Sequence, residues 1–507
     1  MSSRRDLPID PEIFVEGASA LDQWSAIKGK PYITVSSKGI VNGLSTVLND
    51  GADFGPDTTL GATSPTQTGS PYTETVGIQE AITYSGTIIK LPILLGSGLF
   101  NISTSIIVNY NGIHLIGSGH NNSNGTSIYT VIPDIDLIDL DEGTGNTDAW
   151  EIGNMILLLG NSTSTGSGIN TINPGTPFVH AYIHDISVHN ATTYAYQFTN
   201  FFNCRFEGLY SYGCNGTLSI TSYGNGQDVA GNSTFITIKD AAPVSGATNP
   251  DLNIDGSASS NNGGGVQQIA FIRLEIEMID TVETININNA NNLTFINTVL
   301  DQLTSTTPTS CIVLDNVFQS NFINLMFGLN TNVTTGISIS NSENIFFDNP
   351  IVLGSGSVIN FTTMYNIAPH AIIFRGNFDQ TFRANGGTIS AVGYLAIKFE
   401  DFDYYNLTPS IPTNPPASGT VYQNTNPYDI HLKIPVTYSP TSTAAATLAT
   451  GISTSTTVTT TTKVSIPAGL TAADGEILTY DMVVPAGWRF ELVATNATIG
   501  TAEVQAA

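Results

Sequence analysis

Basic residues are scarce in this chain: 15 Lys and Arg stand against 41 Asp and Glu in 507 residues, a formal net charge of −26. Binding to nucleic acid rests on clustered Lys and Arg, and no such cluster exists here, which argues against a nucleic-acid partner. No basic segment is present to hold an anionic membrane surface. No run of 18 apolar residues occurs, so no membrane insertion is expected. Cysteine is nearly absent. Cys204, Cys214 and Cys311 are too few and too odd in number for a disulfide framework, and buried free thiols are expected over a Cys204–Cys214 bridge. The amino end carries two arginines but no apolar stretch after them, so no secretion signal is visible.

Charge of either sign is sparse at 11% of residues, less than half the roughly 25% of ordinary soluble domains. Hydrophobic residues still make up 41%, ample for a core, so disorder through charge repulsion is excluded. The polar exterior therefore comes from uncharged Ser, Thr, Asn and Gly. Asn-x-Ser/Thr sequons occur at Asn101, Asn121, Asn124, Asn161, Asn190, Asn215, Asn232, Asn292, Asn332, Asn360, Asn406 and Asn496. Two readings stand for them: chance in an Asn- and Thr-rich chain, or a glycosylated surface outside the cell.

Along the chain, residues 1–45 are mixed, with a short helix expected over Ala18–Ile27 and a strand from Tyr32 to Val41. A turn-rich stretch, Asn49-Asp-Gly-Ala-Asp-Phe-Gly-Pro-Asp-Thr-Thr, leads to a polar loop ending near Tyr72. Val76–Tyr84 reads as a short amphipathic helix, with Ile78, Ala81 and Ile82 on one side and Thr73 as N-cap. Short strands follow at Thr87–Leu91, Leu99–Ile102, Ser105–Val108 and Ile113–Ile116.

Six segments, Asn49-Asp-Gly-Ala-Asp, Asp57-Thr, Gly77-Ile-Gln-Glu-Ala-Ile, Gly86-Thr-Ile-Ile-Lys-Leu-Pro, Phe100-Asn-Ile and His114-Leu-Ile-Gly-Ser-Gly, follow one another in order over about 75 residues. This order resembles the amino-terminal signature of the pectate-lyase superfamily of right-handed parallel β-helices, of the viral tail-spike and tail-fibre type. The resemblance implies an all-β solenoid whose short helix caps its first coil. It departs from the family pattern in the insertion Thr59–Tyr72. It leaves activity open, because catalytic, tail-spike and inert members share the signature.

The body of the chain supports a solenoid by itself. An irregular repeat runs through Asn200-Phe-Phe-Asn-Cys-Arg-Phe, Asn292-Leu-Thr-Phe-Ile-Asn-Thr-Val-Leu, Asn321-Phe-Ile-Asn-Leu-Met-Phe and Asn344-Ile-Phe-Phe-Asp-Asn-Pro-Ile. Phe295, Phe322 and Phe346 recur at repeat-like spacing. Stacked Phe and Ile would fill the interior, and stacked Asn would form hydrogen-bonded ladders at the turns. The domains expected are an attachment segment at 1–45, the β-helix at 46–400, a Pro-rich connector at 401–429 and a small antiparallel β-sandwich at 430–507. Strands are expected in the last at Ile430–Tyr438, Thr456–Ile466, Glu476–Val484 and Trp488–Ala494, with the Thr/Ser/Ala run at 439–462 as a long loop.

Three constellations carry candidate chemistry. Asp134, Asp136, Asp139 and Asp141, with Glu142 beside them, would share one face if they alternate along a strand; they could hold Ca²⁺ or be an ordinary solvated face, and no other cofactor is implied. Arg273, Glu275 and Glu277 would lie on one face of a strand with Ile272, Leu274 and Ile276 on the other. That face is a candidate glycosidase site, with the carboxylates as acid and base and Arg273 on an acidic sugar, or else a solvent-facing salt bridge. The want of basic residues disfavours a lyase mechanism and leaves hydrolysis of a neutral glycan. His180, His184 and His189 around Asp185 read as surface or turn histidines more readily than as zinc ligands.

Two functions follow as expectations. One is a virion surface appendage, extracellular once released, that binds host-surface glycans, assembles as a homotrimer and joins other virion proteins through its amino-terminal segment. The other is a polysaccharide-degrading enzyme; a cell-surface adhesion protein is a weaker third. A surface that stays hydrogen-bonding when its acids are protonated also fits an acid habitat, such as that of a thermoacidophilic archaeon or its virus.

Overall fold

The computed structural model describes residues 31–37, 52–56, 58–60 and 65–67. From 73 to 506 it describes all but a set of segments, the longest being 364–371, 376–387, 401–414 and 467–476. The expected helix Ala18–Ile27 and Glu142 lie outside the described residues. The chain divides into two compact units, Met1–Val317 with Asn332–Thr334, and Phe318–Thr331 with Thr335–Ala507.

The first unit is a parallel β-helix. One line of strands stacks coil upon coil: β1 (Ile33–Val35), β2 (Ile93–Leu95), β3 (His114–Ile116), β4 (Glu151–Leu159), β5 (Tyr182–His189), β6 (Arg205–Tyr212), β7 (Ala230–Ala241), β8 (Val266–Met278) and β9 (Thr294–Ile296). Each pairs in parallel with the next, as in Ile33↔Ile93, Ile93↔Leu115, Leu115↔Ile152, Ile152↔Ile183, Ile183↔Phe206, Phe206↔Phe235, Phe235↔Phe271 and Phe271↔Phe295. This register puts like residues over like. Phe206, Phe235, Phe271 and Phe295 form an interior column, with successive ring centroids 4.3, 5.1 and 4.7 Å apart and nearly parallel planes. Because β1 lies within 1–45, the solenoid's pairing reaches back into the stretch expected to be an attachment segment.

Between the first and second halves of β4 to β8 the backbone turns through one left-handed residue per coil: Asn154, Asp185, Gly208, Thr237 and Arg273, with Asn297 following β9. Asn, Asp and Gly adopt this conformation most readily, which explains most of the column. Amide ladders form at left-handed positions, where Asn316 donates to Asn289 (2.6 Å), and also within strands rather than only at the expected turns, where Asn286 donates to Asn253 (2.9 Å). Some sequon asparagines serve the same framework. The side-chain amides of Asn190, Asn215 and Asn496 donate to the carbonyls of Leu159, Thr192 and Ala445.

The amino-terminal motif has a mechanical explanation. Helix α1 (Ile78–Tyr84) buries Ile78, Ala81 and Ile82 completely. Its Gln79 side chain donates to the Ile107 carbonyl (3.0 Å) and accepts the Ile107 N–H (2.7 Å), acting as a one-residue strand on Ile106–Val108. Asp53 does the same for β1, accepting the Thr34 N–H and hydroxyl at 2.8 Å. Gly77 has φ +83°, and a Cβ there would lie 2.5 Å from the Gly55 carbonyl oxygen, so no other residue fits. The N-cap position is Gly77 and not the expected Thr73, whose hydroxyl accepts the Gly77 N–H at 2.8 Å from the turn before the helix. The strand expected at Thr87–Leu91 is instead a π-helical turn, Ser85–Ile89, that prolongs α1 and closes at left-handed Lys90. Its Thr87 hydroxyl bonds back to the Thr83 carbonyl at 2.6 Å, a helical contact that the β-branched sequence concealed.

In the second unit the same parallel pairing runs from Phe322↔Phe347 through Phe347↔Phe374 to Phe374↔Phe399. The stacked ring is Phe347, 4.9 Å from Phe322, while Phe346 is half-buried; the repeat is one residue off the expected Phe346. The unit also contains an antiparallel β-sandwich. One sheet has the order β10 (Thr420–Gln423), β15 (Arg489–Thr495), β12 (Ala446–Ser453), β13 (Thr461–Ile466). The other sets β11 (Ile430–Tyr438) beside β14 (Ile477–Val484), β16 (Ala497–Ile499) and β17 (Glu503–Ala506). Ile430, Leu432, Ile434, Val436 and Tyr438 alternate into its core. Two differences from the expected layout stand out. β10 begins inside the connector, and β12 occupies the Thr/Ser/Ala run, where Ala446, Leu448 and Thr450 alternate inward.

Candidate functional site

Outward positions on β3 to β6 bring charged, aromatic and imidazole side chains together. The register sets His114 beside Glu151, Glu151 beside Tyr182 and Tyr182 beside Arg205; Gly153, His184 and Glu207 form the next row. His114 Nδ1 lies 2.7 Å from Glu151 Oε2. His184 Nε2 lies 3.4 Å from Glu151 Oε1, and its Nδ1 lies 3.0 Å from Asp185 Oδ2. The Tyr182 ring stacks on the His184 ring at 4.3 Å, and the Arg205 guanidinium carbon lies 5.5 Å from the centroid of that same tyrosine. Arg205 donates to Glu207 Oε2 through Nε (3.1 Å) and Nη2 (2.6 Å), and Tyr182 donates its hydroxyl to the same oxygen (3.2 Å).

Two glycines make room for this. A Cβ at Gly153 would lie 2.6 Å from two atoms of the His184 ring, and one at Gly208 would lie 2.7 Å from Asp185 Oδ1. The His184 side chain is 9% exposed, while those of Glu151, Asp185 and Glu207 keep 35, 43 and 31%. Burial, and next the Glu207 carboxylate that accepts its proton, push the Tyr182 phenol above its ordinary value. Past the left-handed corner, Tyr210, Tyr212 and His189 continue the face. Burial lowers His189, whose ring sits 5.5 Å from that of Tyr212, and the His120 ring stacks at 6.0 Å on Tyr210.

Glu275 and Glu277 both face outward on β8, as expected, but Arg273 occupies the left-handed corner and breaks the alternation. In consequence Ile272 is half-buried on the outer side and Phe271 takes the interior position, with Leu274 and Ile276 buried. The cation on Glu275 is Lys239 of the neighbouring coil, at 2.6 Å, which raises the lysine above its ordinary value.

The four aspartates do not share one face. The strand covers only Ile138–Asp141, and Asp134 stands exposed in a left-handed turn. Asp136 accepts the Ser167 N–H (2.6 Å) and the Asn170 amide (2.8 Å), and Asp141 accepts from Asn173 (3.1 Å). Asp139 is buried, and desolvation with the nearby Asp136 charge lifts it to about 7. Among the described residues no three His, Cys, Asp or Glu are grouped so as to hold a metal ion. His180 sits exposed at a left-handed turn, apart from the His184 network. All three cysteines are free and buried, and burial pushes Cys214 and Cys311 up to about 12.

Sequence reasoning missed Glu151, His114, Tyr182, Arg205 and Glu207. Their signal was charge and aromaticity at outward strand positions in a chain otherwise poor in charge.

No family model matches the chain, and no curated protein matches it. Among solved structures, ORF18 of Geobacillus virus E2 is 13% identical, with a TM-score of 0.45 over 81% of this chain and 75% of that one. The A-module of the Azotobacter vinelandii mannuronan C-5 epimerase AlgE6 is 11% identical, with a TM-score of 0.39 over 64% of this chain and 93% of its own. The tailspike gp49 of Acinetobacter baumannii bacteriophage Fri1, a capsular polysaccharide depolymerase, is 11% identical, with a TM-score of 0.27 over 94% and 100%. These likenesses are remote, and it is the strand register described above that makes this chain a parallel β-helix protein.

Proposed function

We propose that the protein is a virion surface appendage of the tail-spike or tail-fibre kind, and that it holds a host-surface glycan on the outer face of β3 to β6. The observation that carries this is the cluster Glu151–Tyr182–His184–Arg205–Glu207, which concentrates carboxylates and aromatic rings on one outward face of a chain only 11% charged. Carboxylates accept hydroxyl protons from sugars, and rigid aromatic rings offer apolar contact at low entropic cost. A homotrimer and attachment to other virion proteins through residues 1–45 belong to the same proposal. The test is binding of the purified protein to a panel of host-envelope polysaccharides. Wild type is expected to bind, and Tyr182→Ala with Glu207→Gln to weaken binding by about tenfold or more, the scale of one charge-assisted hydrogen bond. Undiminished binding by that variant would exclude this face.

Glu275 and Glu277, with Arg273 at the corner beside them, are the proposed acid, base and substrate-binding group should the held glycan also be cut. Release of reducing ends is then expected to disappear in Glu275→Gln and in Glu277→Gln, and release surviving in both removes them.

A further inference from the structure

The charge balance within the cluster allows the ligand to be named more closely, on the footing of the glycan reading above. We infer that the face selects sugars carrying a free, protonated amine and rejects uronic acids. Three carboxylates converge there, Glu151 and Asp185 on the two sides of the His184 ring and Glu207 on the next coil. Among the described residues one guanidinium reaches them, that of Arg205, and Glu207 engages it through two nitrogens. The nearest lysine along the face, Lys239, is bound to Glu275. A sugar carboxylate would thus be desolvated against like charge without a free guanidinium to receive it, an arrangement that discriminates by repulsion. An ammonium meets the opposite situation: among the described residues neither Glu151 nor Asp185 has a Lys or Arg partner, and both are more than a third exposed.

His184 supplies a second, independent observation. A carboxylate accepts and cannot donate, so the 3.0 Å contact with Asp185 requires a proton on Nδ1, and in the neutral ring Nε2 then carries a lone pair. That Nε2 is buried and makes no hydrogen bond; its neighbour, 3.4 Å away, is Glu151 Oε1, another acceptor. Two acceptors facing each other need a donor with more than one hydrogen. An ammonium has three and can serve both once the half-exposed Glu151 side chain shifts to admit it, whereas a sugar hydroxyl has one.

The experiment compares three oligosaccharides of equal length by calorimetry at a pH where the amine is protonated: a glucosamine oligomer, its N-acetylated counterpart and a galacturonate oligomer. The glucosamine oligomer is expected to bind about tenfold or more tightly than the acetylated one, and the galacturonate oligomer weakest. Glu151→Gln combined with Asp185→Asn is expected to bring the first two to equal affinity. Asn tolerates the left-handed backbone of residue 185, and an unchanged melting temperature certifies the fold. Galacturonate binding as well as glucosamine, or an amine preference that survives the double variant, overturns the inference. Binding to host polysaccharides without any amine preference overturns it while leaving the glycan reading intact. Failure to bind any of the three or any host polysaccharide overturns both.

Discussion

Asp139 is enclosed by the coil stack, and its environment favours the protonated form. Its carboxyl rises from an ordinary 3.8 to about 7, chiefly through desolvation and then through the charge of Asp136. Between those values the folded chain binds a proton that the unfolded chain releases, so stability falls as pH rises from about 4 through 7. Asp139→Asn removes the slope: the variant is expected to melt above wild type near pH 8 and level with it near pH 3. An equal shift at both pH values would place the effect in packing. Lys239–Glu275 is a different case. Both side chains are more than a third exposed, so Lys239→Met is expected to cost less than about 1 kcal/mol in a denaturant melt. At this scale the sequence was a partial guide. Outward orientation of Glu275 and Glu277 follows from alternation, but a left-handed Arg273 cannot be foreseen, because the coils above and below impose a corner there on a residue with little preference for it.

Among the elements, the amino-terminal cap and the phenylalanine column do separable work. Gln79 closes the free edge of Ile106–Val108 with two hydrogen bonds, so Gln79→Ala leaves both groups of Ile107 unpaired, at an expected cost of about 1–3 kcal/mol by thermal melt. Phe271 lies between Phe235 and Phe295, and Phe271→Ala is expected to cost about 3–5 kcal/mol. In the second unit Phe347→Ala should approach that loss and half-buried Phe346→Ala should fall well short of it; equal losses would contradict the register Phe322↔Phe347. Stacking made these elements legible, since like residues recur wherever coil lies on coil. Irregular coil length hid the site. His114 and Glu151 are 37 positions apart and Tyr182 and Glu207 are 25, so no fixed spacing announces their meeting.

For the whole molecule, the shortage of charge has a structural counterpart. Acid unfolds proteins mainly by protonating carboxylates that are ion-paired or hydrogen-bonded in the native state. Among the described residues Arg205 and Lys239 sit on Glu207 and Glu275, Asp53, Asp136 and Asp141 accept hydrogen bonds, and amide ladders that do not titrate join coil to coil. The fold is therefore expected to persist in acid, with unfolding followed by circular dichroism setting in only below about pH 3. Collapse of the far-ultraviolet signal at milder acidity would remove the acid-habitat expectation. The central claim, that one outward face of the β-helix holds a glycan, is tested most directly by amide hydrogen exchange with and without a bound host polysaccharide. Protection is predicted in Glu151–Leu159, Tyr182–His189 and Arg205–Tyr212. Protection confined to the sandwich strands between Thr420 and Ala506, with these three segments unchanged, would contradict it.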